Sequence, residues 1–265
     1  MPLGDFEREV LRLLAANRNP DSFVAGATVL HQPPASPRTS QDIDLFHDTQ
    51  ASLRQAFETD MAVLREAGFE VEAVGQAHED FRRAWVRRGD RATKVEWVYD
   101  SAFRFFPVEP DLELGWRLNF WDAATNKMLA LVGRQKVRDY LDCLYLHERH
   151  LHLGALAWAA AAKDPGLSPE LIIDWAGRGN KFRPEDLLDV KLSKPVDLRE
   201  AKRKWLIGLD EARQLIEKLP PAEMGCLYLD AAGHPVCPDP GSSDFARLTR
   251  HFGSVKGAWP KVVEE

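Results

Sequence analysis

Apolar residues recur at helical spacing near the start of the chain. Phe6, Val10, Leu11, Leu13 and Leu14 predict an amphipathic helix over 5–17, ended by Asn17 to Pro20. The period then shortens. Residues 23–25 read as a short apolar strand, 26–32 as a short helix stopped by Pro33-Pro34, and 41–46 as a second strand. Leu53, Phe57, Met61 and Leu64 lie on one stripe and predict a helix over 50–67, with Gly68 as its stop. Strand-like runs follow at 69–74, 81–86 and 93–99, the last two joined by a Gly89-Asp90 turn, and 103–108 reads as one more. From about residue 122 the period is helical, with segments at 122–132, 138–151, 156–162, 169–176, 185–192 and 198–219. Residues 226–236 alternate around Asp230-Ala231-Ala232-Gly233 and predict a β-hairpin, and 243–252 reads as a last short helix. Strands early and helices late argue an α+β fold. The expected division is a mixed-sheet lobe over 1–115 and a mainly helical lobe with a C-terminal β-hairpin over 116–265. Apart from that hairpin, strands are expected before about Pro110.

With 265 residues, 45% of them hydrophobic, the chain can bury one large core or two modest ones. It has no apolar run of membrane-spanning length and no basic region followed by an apolar stretch at Met1 to Asp5. Cys143, Cys226 and Cys237 show no C-x-x-C spacing. A cytoplasmic protein without a membrane partner is the expectation. The formal net charge of −6 excludes a wholly basic nucleic-acid surface. Arg82, Arg83, Arg87, Arg88, Arg91 and Lys94 nevertheless crowd one region, as a local basic face or as the solvated face of two strands. His147-Glu148-Arg149-His150 is one residue short of the HExxH zinc motif, and the glycines at 177 and 179 lack Walker spacing.

The chemistry centres on Asp42-Ile43-Asp44. Carboxylates two residues apart in a strand point to the same side. They repel unless a cation lies between them, and a hard divalent ion such as Mg²⁺ (or Mn²⁺) fits carboxylate oxygens and substrate phosphates. Upstream, Ala25-Gly26-Ala27 is a small-residue turn where backbone can approach a phosphate closely. Glu96, inside the apolar run Lys94-Val95-Glu96-Trp97-Val98, is the candidate third acid, with an outward-facing strand glutamate as the alternative.

These residues resemble the signature of the nucleotidyltransferase superfamily, and more narrowly the AbiEii-type nucleotidyltransferases known as toxins of toxin–antitoxin systems. The likeness runs from about Phe23 to about Leu146. It rests on Gly26-Ala27-Thr28, on Arg38-x-Ser40-x-Asp42-Ile43-Asp44-Leu45, and on Lys127, Arg134 and Arg138-Asp139-x-x-Asp142. Two features depart from the family pattern: Ala27 replaces a second glycine, and the spacer before Asp42 carries Pro33-Pro34 and Pro37. The resemblance implies Asp42, Asp44 and Glu96 as catalytic and metal-holding groups. It implies nucleotide binding by Gly26, Ala27, Arg38, Ser40, Lys127, Arg138, Asp139 and Asp142. The implied reaction transfers a nucleoside monophosphate from an NTP to an acceptor hydroxyl, with Mg²⁺ or Mn²⁺. The acceptor would be tRNA or another RNA, the outcome growth arrest, and the partner an antitoxin. Lys127 is expected to be solvent-lined and to reach the triphosphate. Asp139 and Asp142, one helical turn apart, would orient Arg138 or Lys127, act as a base, or form a structural ion-pair network. Two other readings stand beside this one. Ala27 and the proline-rich spacer favour a nucleotide-binding or interaction module without turnover. The other is a nucleotidyltransferase acting on a protein or small molecule.

Overall fold

The computed structural model describes residues 3–31, 38–40, 42–76, 78–178 and 181–260. The prolines at 33, 34 and 37, and Gln41 at the expected strand start, lie outside the described residues. The chain divides into two compact units. One comprises Met1–Ala102, Pro107–Ala123 and Lys191–Ser193; the other comprises Phe103–Phe106, Ala124–Val190 and Lys194–Glu265.

The first unit is built on a seven-stranded mixed sheet. Its elements are α1 (Asp5–Ala15), β1 (Ser22–Val24), α2 (Gly26–Leu30), β2 (Asp42–His47), α3 (Gln50–Glu66), β3 (Glu70–Ala73), β4 (Phe81–Arg88) and β5 (Arg91–Tyr99). A short β6 (Phe103–Arg104) leaves the sheet, and β7 (Glu109–Asp111) and β8 (Gly115–Arg117) return to it, giving the order β3-β4-β5-β2-β1-β8-β7. β2 runs parallel to β5 and antiparallel to β1. Alternation decides which side is buried. Ile43, Leu45, Ala84, Val86, Val95 and Trp97 face a core closed by Phe6, Val10, Leu11 and Leu14 of α1 and Leu53, Met61 and Leu64 of α3. The residues between them in β2 and β5 emerge on the opposite face. A reciprocal Thr49–Ser52 capping box starts α3, and Gly68 (φ +81°) follows its end. A polar cluster is buried in this core. The Asp60 carboxylate accepts from Arg18 at 2.6 Å, Trp97 Nε1 at 2.7 Å and Asn17 at 2.8 Å.

In the second unit α5 (Val137–Arg149), α6 (Leu153–Ala160), α7 (Pro169–Arg178) and α8 (Leu198–Lys218) follow α4 (Phe120–Arg134), which crosses the division. Every residue of α6 is buried, and its small residues let α8 approach closely, a Cβ at Gly154 falling 3.0 Å from Ala212 Cα. β9 (Cys226–Leu229) pairs with β10 (Thr249–Phe252), and β11 (Ser254–Val255) pairs with β6. Cys143, Cys226 and Cys237 are free thiols.

Four expected elements differ. The strand over 103–108 shrinks to β6, whose partner is β11 from the far end of the chain. The helix over 185–192 is only a single 3₁₀ turn, Pro184–Leu187, because none of its residues is buried and Leu188 is 83% exposed, which leaves little apolar burial to repay helix nucleation. The helix over 243–252 is instead a 3₁₀ turn followed by β10. The expected terminal hairpin forms in part: the chain reverses at 230–233 and Pro235 makes one antiparallel bridge with Leu229, with Val236 N–H donating to the Tyr228 carbonyl at 2.9 Å, but the extended ladder of β9 is with β10. Strands therefore extend beyond Pro110, to β8 and to the chain's last segment.

Candidate active site

The acid site lies within the first unit, on the sheet face opposite its core. In the parallel register of β2 and β5, Asp42 stands beside Lys94 and Asp44 beside Glu96. The antiparallel register of β4 and β5 then places Arg83 beside Glu96 and Trp85 beside Lys94. Period two makes these side chains neighbours on one face.

Cations separate the acids. Lys94 Nζ is 3.1 Å from Asp42 Oδ1 and 3.2 Å from Glu96 Oε1. Arg83 grips the same Glu96 oxygen, donating from Nε at 3.0 Å with a second guanidinium nitrogen at 2.9 Å. Lys94, Asp42 and Glu96 side chains are each about one-fifth exposed, at 20%, 18% and 17%. In the sequence, Lys94 and Arg83 read only as part of a basic cluster. The alternation in Lys94-Val95-Glu96 already put Lys94 on the face of Glu96. Elsewhere in that cluster, Arg87 pairs with Glu72, and Arg88 and Arg91 with Glu9. Local acids therefore compensate much of the positive charge.

Gly26 forms the opposite wall. It opens α2 at φ +66°, and a Cβ there would stand 2.9 Å from the Asp44 carboxyl carbon. Only glycine accepts both that dihedral and that approach. The preceding Ala25 N–H donates to the Asp44 carbonyl at 2.9 Å, tying the turn to β2. Ala27 is buried in α2. Ser40 donates its hydroxyl to the Asp42 carbonyl at 2.8 Å and so shapes the entry to β2. Arg38 is buried, and its backbone bridges Leu192, while Thr39 N–H donates to the Lys191 carbonyl at 2.9 Å. Lys191 and Leu192, expected at the end of a helix, thus strap the segment leading into β2.

Lys127, Arg138, Asp139 and Asp142 belong to the second unit. Lys127 is 6% exposed, not solvent-lined. Its ammonium stands 3.0 Å from Asp139 Oδ1 and 3.1 Å from Asp142 Oδ2, and Arg134 Nε donates to Asp139 Oδ2 at 2.7 Å. Burial alone would raise the Asp139 carboxyl, but Lys127 and Arg134 outweigh it and hold the group below the ordinary carboxylate range. The i, i+3 spacing puts both carboxylates on one face of α5, where one lysine bridges them. Arg138 is half-buried on the same helix.

Among the described residues no group of three or more His, Cys, Asp or Glu side chains is arranged to hold a metal together. Two carboxylates on one strand face still suit a hard divalent ion that takes its remaining ligands from triphosphate oxygens and water. Asp42 and Asp44 meet that description, while Glu96 is engaged by two cations.

Several known proteins share this architecture. JHP933 from Helicobacter pylori aligns over 80% of this chain and 90% of its own, at 20% identity and a TM-score of 0.50. MenT4, a nucleotidyltransferase toxin from Mycobacterium tuberculosis H37Rv, aligns over 82% of this chain and 83% of its own, at 15% identity and a TM-score of 0.54. No functionally curated protein matches the sequence significantly. The sequence profile described as "Nucleotidyl transferase AbiEii toxin, Type IV TA system" matches residues 12–212, which include the whole Asp42–Glu96 site and the Lys127–Asp142 network. The chain therefore belongs to the AbiEii nucleotidyltransferase toxin family.

Proposed function

We propose that this protein transfers a nucleoside monophosphate from an NTP to an acceptor hydroxyl and releases pyrophosphate, with Mg²⁺ or Mn²⁺ held by Asp42 and Asp44. The observation that carries this reading is the parallel β2–β5 register, which gathers Asp42, Asp44 and Glu96 on the face beside the Gly26 turn. A divalent ion there would offset triphosphate charge and lower the pKa of the attacking hydroxyl. Asp42 and Asp44 supply its carboxylate oxygens. Glu96, fixed by Arg83, keeps negative charge next to Asp44 and is the third acid of the set. Gly26, without a side chain, lets the Asp44 carboxylate lie against the start of α2, and a phosphate bound beside that carboxylate would approach the N–H groups of the turn. Arg38 and Ser40 hold the segment that aims β2. Lys127 and Arg138 are assigned to the triphosphate on the family resemblance, with Asp139 and Asp142 orienting Lys127.

The acceptor we favour is RNA, tRNA included, and the consequence growth arrest relieved by an antitoxin. Family membership supports this, since the family is one of toxins in toxin–antitoxin systems. No helix of the described residues is long and apolar enough to cross a membrane. Incubation with each α-labelled NTP, Mg²⁺ or Mn²⁺ and total cellular RNA tests the assignment. Label in a discrete RNA band is expected. Tight NTP binding without product would instead support the non-catalytic module, and label on protein alone would remove RNA as acceptor.

A further inference from the structure

We propose that Lys94 is a resident counter-cation that competes with the divalent metal for Asp42 and Glu96 and is released from them when metal binds. The inference rests on the metal reading above. Lys94 lies in the central part of the sheet, between Asp42 on β2 and Trp85 on β4, with Glu96 two residues further along its own strand. Its ammonium spans the two carboxylates at 3.1 and 3.2 Å rather than extending to solvent, and its side chain is only 20% exposed. A lysine ammonium is a compact point charge on a flexible stem, suited to leaving. Arg83 is the opposite case. Its planar guanidinium holds Glu96 through two nitrogens, at 3.0 and 2.9 Å, so Glu96 stays neutralised when Lys94 departs.

Geometry and like-charge repulsion decide between staying and leaving. The ammonium stands 3.1 Å from Asp42 Oδ1, so a divalent ion on the Asp42 carboxylate would have to approach a positive charge already held there. Moving the ammonium away removes that repulsion and frees an Asp42 oxygen for the metal. Lys94 thus stabilises the acid face without metal and lowers its affinity for metal when no triphosphate is present.

Mn²⁺ titration without nucleotide, following free Mn²⁺ by electron paramagnetic resonance, tests this on the full chain. Lys94→Met is expected to bind Mn²⁺ about tenfold or more tightly than the parent, the effect of removing one unit charge from within roughly 5 Å of the ion. Asp42→Asn added to Lys94→Met should abolish the gain. A second measurement needs no variant: amine-reactive labelling of Lys94 in the parent protein, read by mass spectrometry, should rise on adding Mn²⁺. Should Lys94→Met fail to fold, that labelling decides. Equal affinity in the parent and Lys94→Met, with Lys94 labelling unmoved by metal, would overturn this inference and leave the metal reading intact. No Mn²⁺ binding in either protein would overturn the metal reading, and this inference with it.

Discussion

Replacing Lys127 by methionine keeps most of the stem but removes an ammonium that bridges Asp139 at 3.0 Å and Asp142 at 3.1 Å. Both carboxylates are fully buried, and Lys127 itself is only 6% exposed, so solvent screens the interaction little. Removing one partner of a buried ion pair typically costs about 3–5 kcal/mol, because the remaining charge loses its compensation. Asp139 keeps Arg134, which places the cost toward the lower end. At about 2–4 °C per kcal/mol for a chain of this size, the melting temperature should fall by roughly 6–15 °C at pH 7. The pH dependence adds a second check. The folded Asp139 carboxyl lies below its ordinary value of 3.8. A depressed carboxylate contributes stability above its unfolded pKa and loses it as pH falls through the folded one. In the parent, acidification from about pH 5 downward should therefore erode this contribution. In Lys127→Met the main lowering influence is gone, so the gap between the two melting temperatures should narrow as pH falls below the ordinary carboxylate value of 3.8. Calorimetric melts at pH 7 and pH 3.5 read both effects, and Asp142→Asn added to Lys127→Met should recover part of the loss. A melting temperature within 2 °C of the parent at pH 7, or a gap that does not narrow in acid, would refute this account of the network.

Three further outcomes are expected. Asp42→Asn and Asp44→Asn should each reduce metal-dependent pyrophosphate release by about a thousandfold. Their melting temperatures should move little, since partly exposed ion pairs contribute at most about 1 kcal/mol; undiminished release from either would remove the proposed metal site. Gly26→Ala should cost about 1–3 kcal/mol, from its positive φ and the approach to Asp44. It should also cut turnover by disturbing Asp44, and parental stability together with parental turnover would contradict that wall of the site. His47 is fully buried, its pKa lowered from 6.5 to about 3 by burial and then by Arg18. The unfolded imidazole binds a proton below about 6.5 while the folded one resists it, so stability falls as pH drops from there toward 3, by up to about 1.4 kcal/mol per pH unit. Urea midpoints at pH 7 and pH 5 should therefore lie closer together in His47→Leu than in the parent.

Sequence alone determined the elements whose pattern is local. α1, α3 and α8 follow from stripes of apolar residues, and β2, β4 and β5 from alternation, each bounded by its own caps and turns. The period of two places Asp42 with Asp44 on a common face, while Lys94 reads in the sequence only as part of a basic cluster. The period could not say which strands are neighbours. That β2 lies parallel to β5, so that Lys94 stands between Asp42 and Glu96, is decided by packing α1 and α3 on the other face of the sheet. The same limit explains the elements that differ. β6, β10 and β11 are short, and each is stabilised by a strand distant in sequence, so nothing within a local window distinguishes them from loop or helix. Lys127 is the plainest case. Spacing shows that Asp139 and Asp142 share a helical face, but only tertiary packing buries that face and makes the lysine's charge a structural necessity, because a charge taken out of water must find its partners nearby.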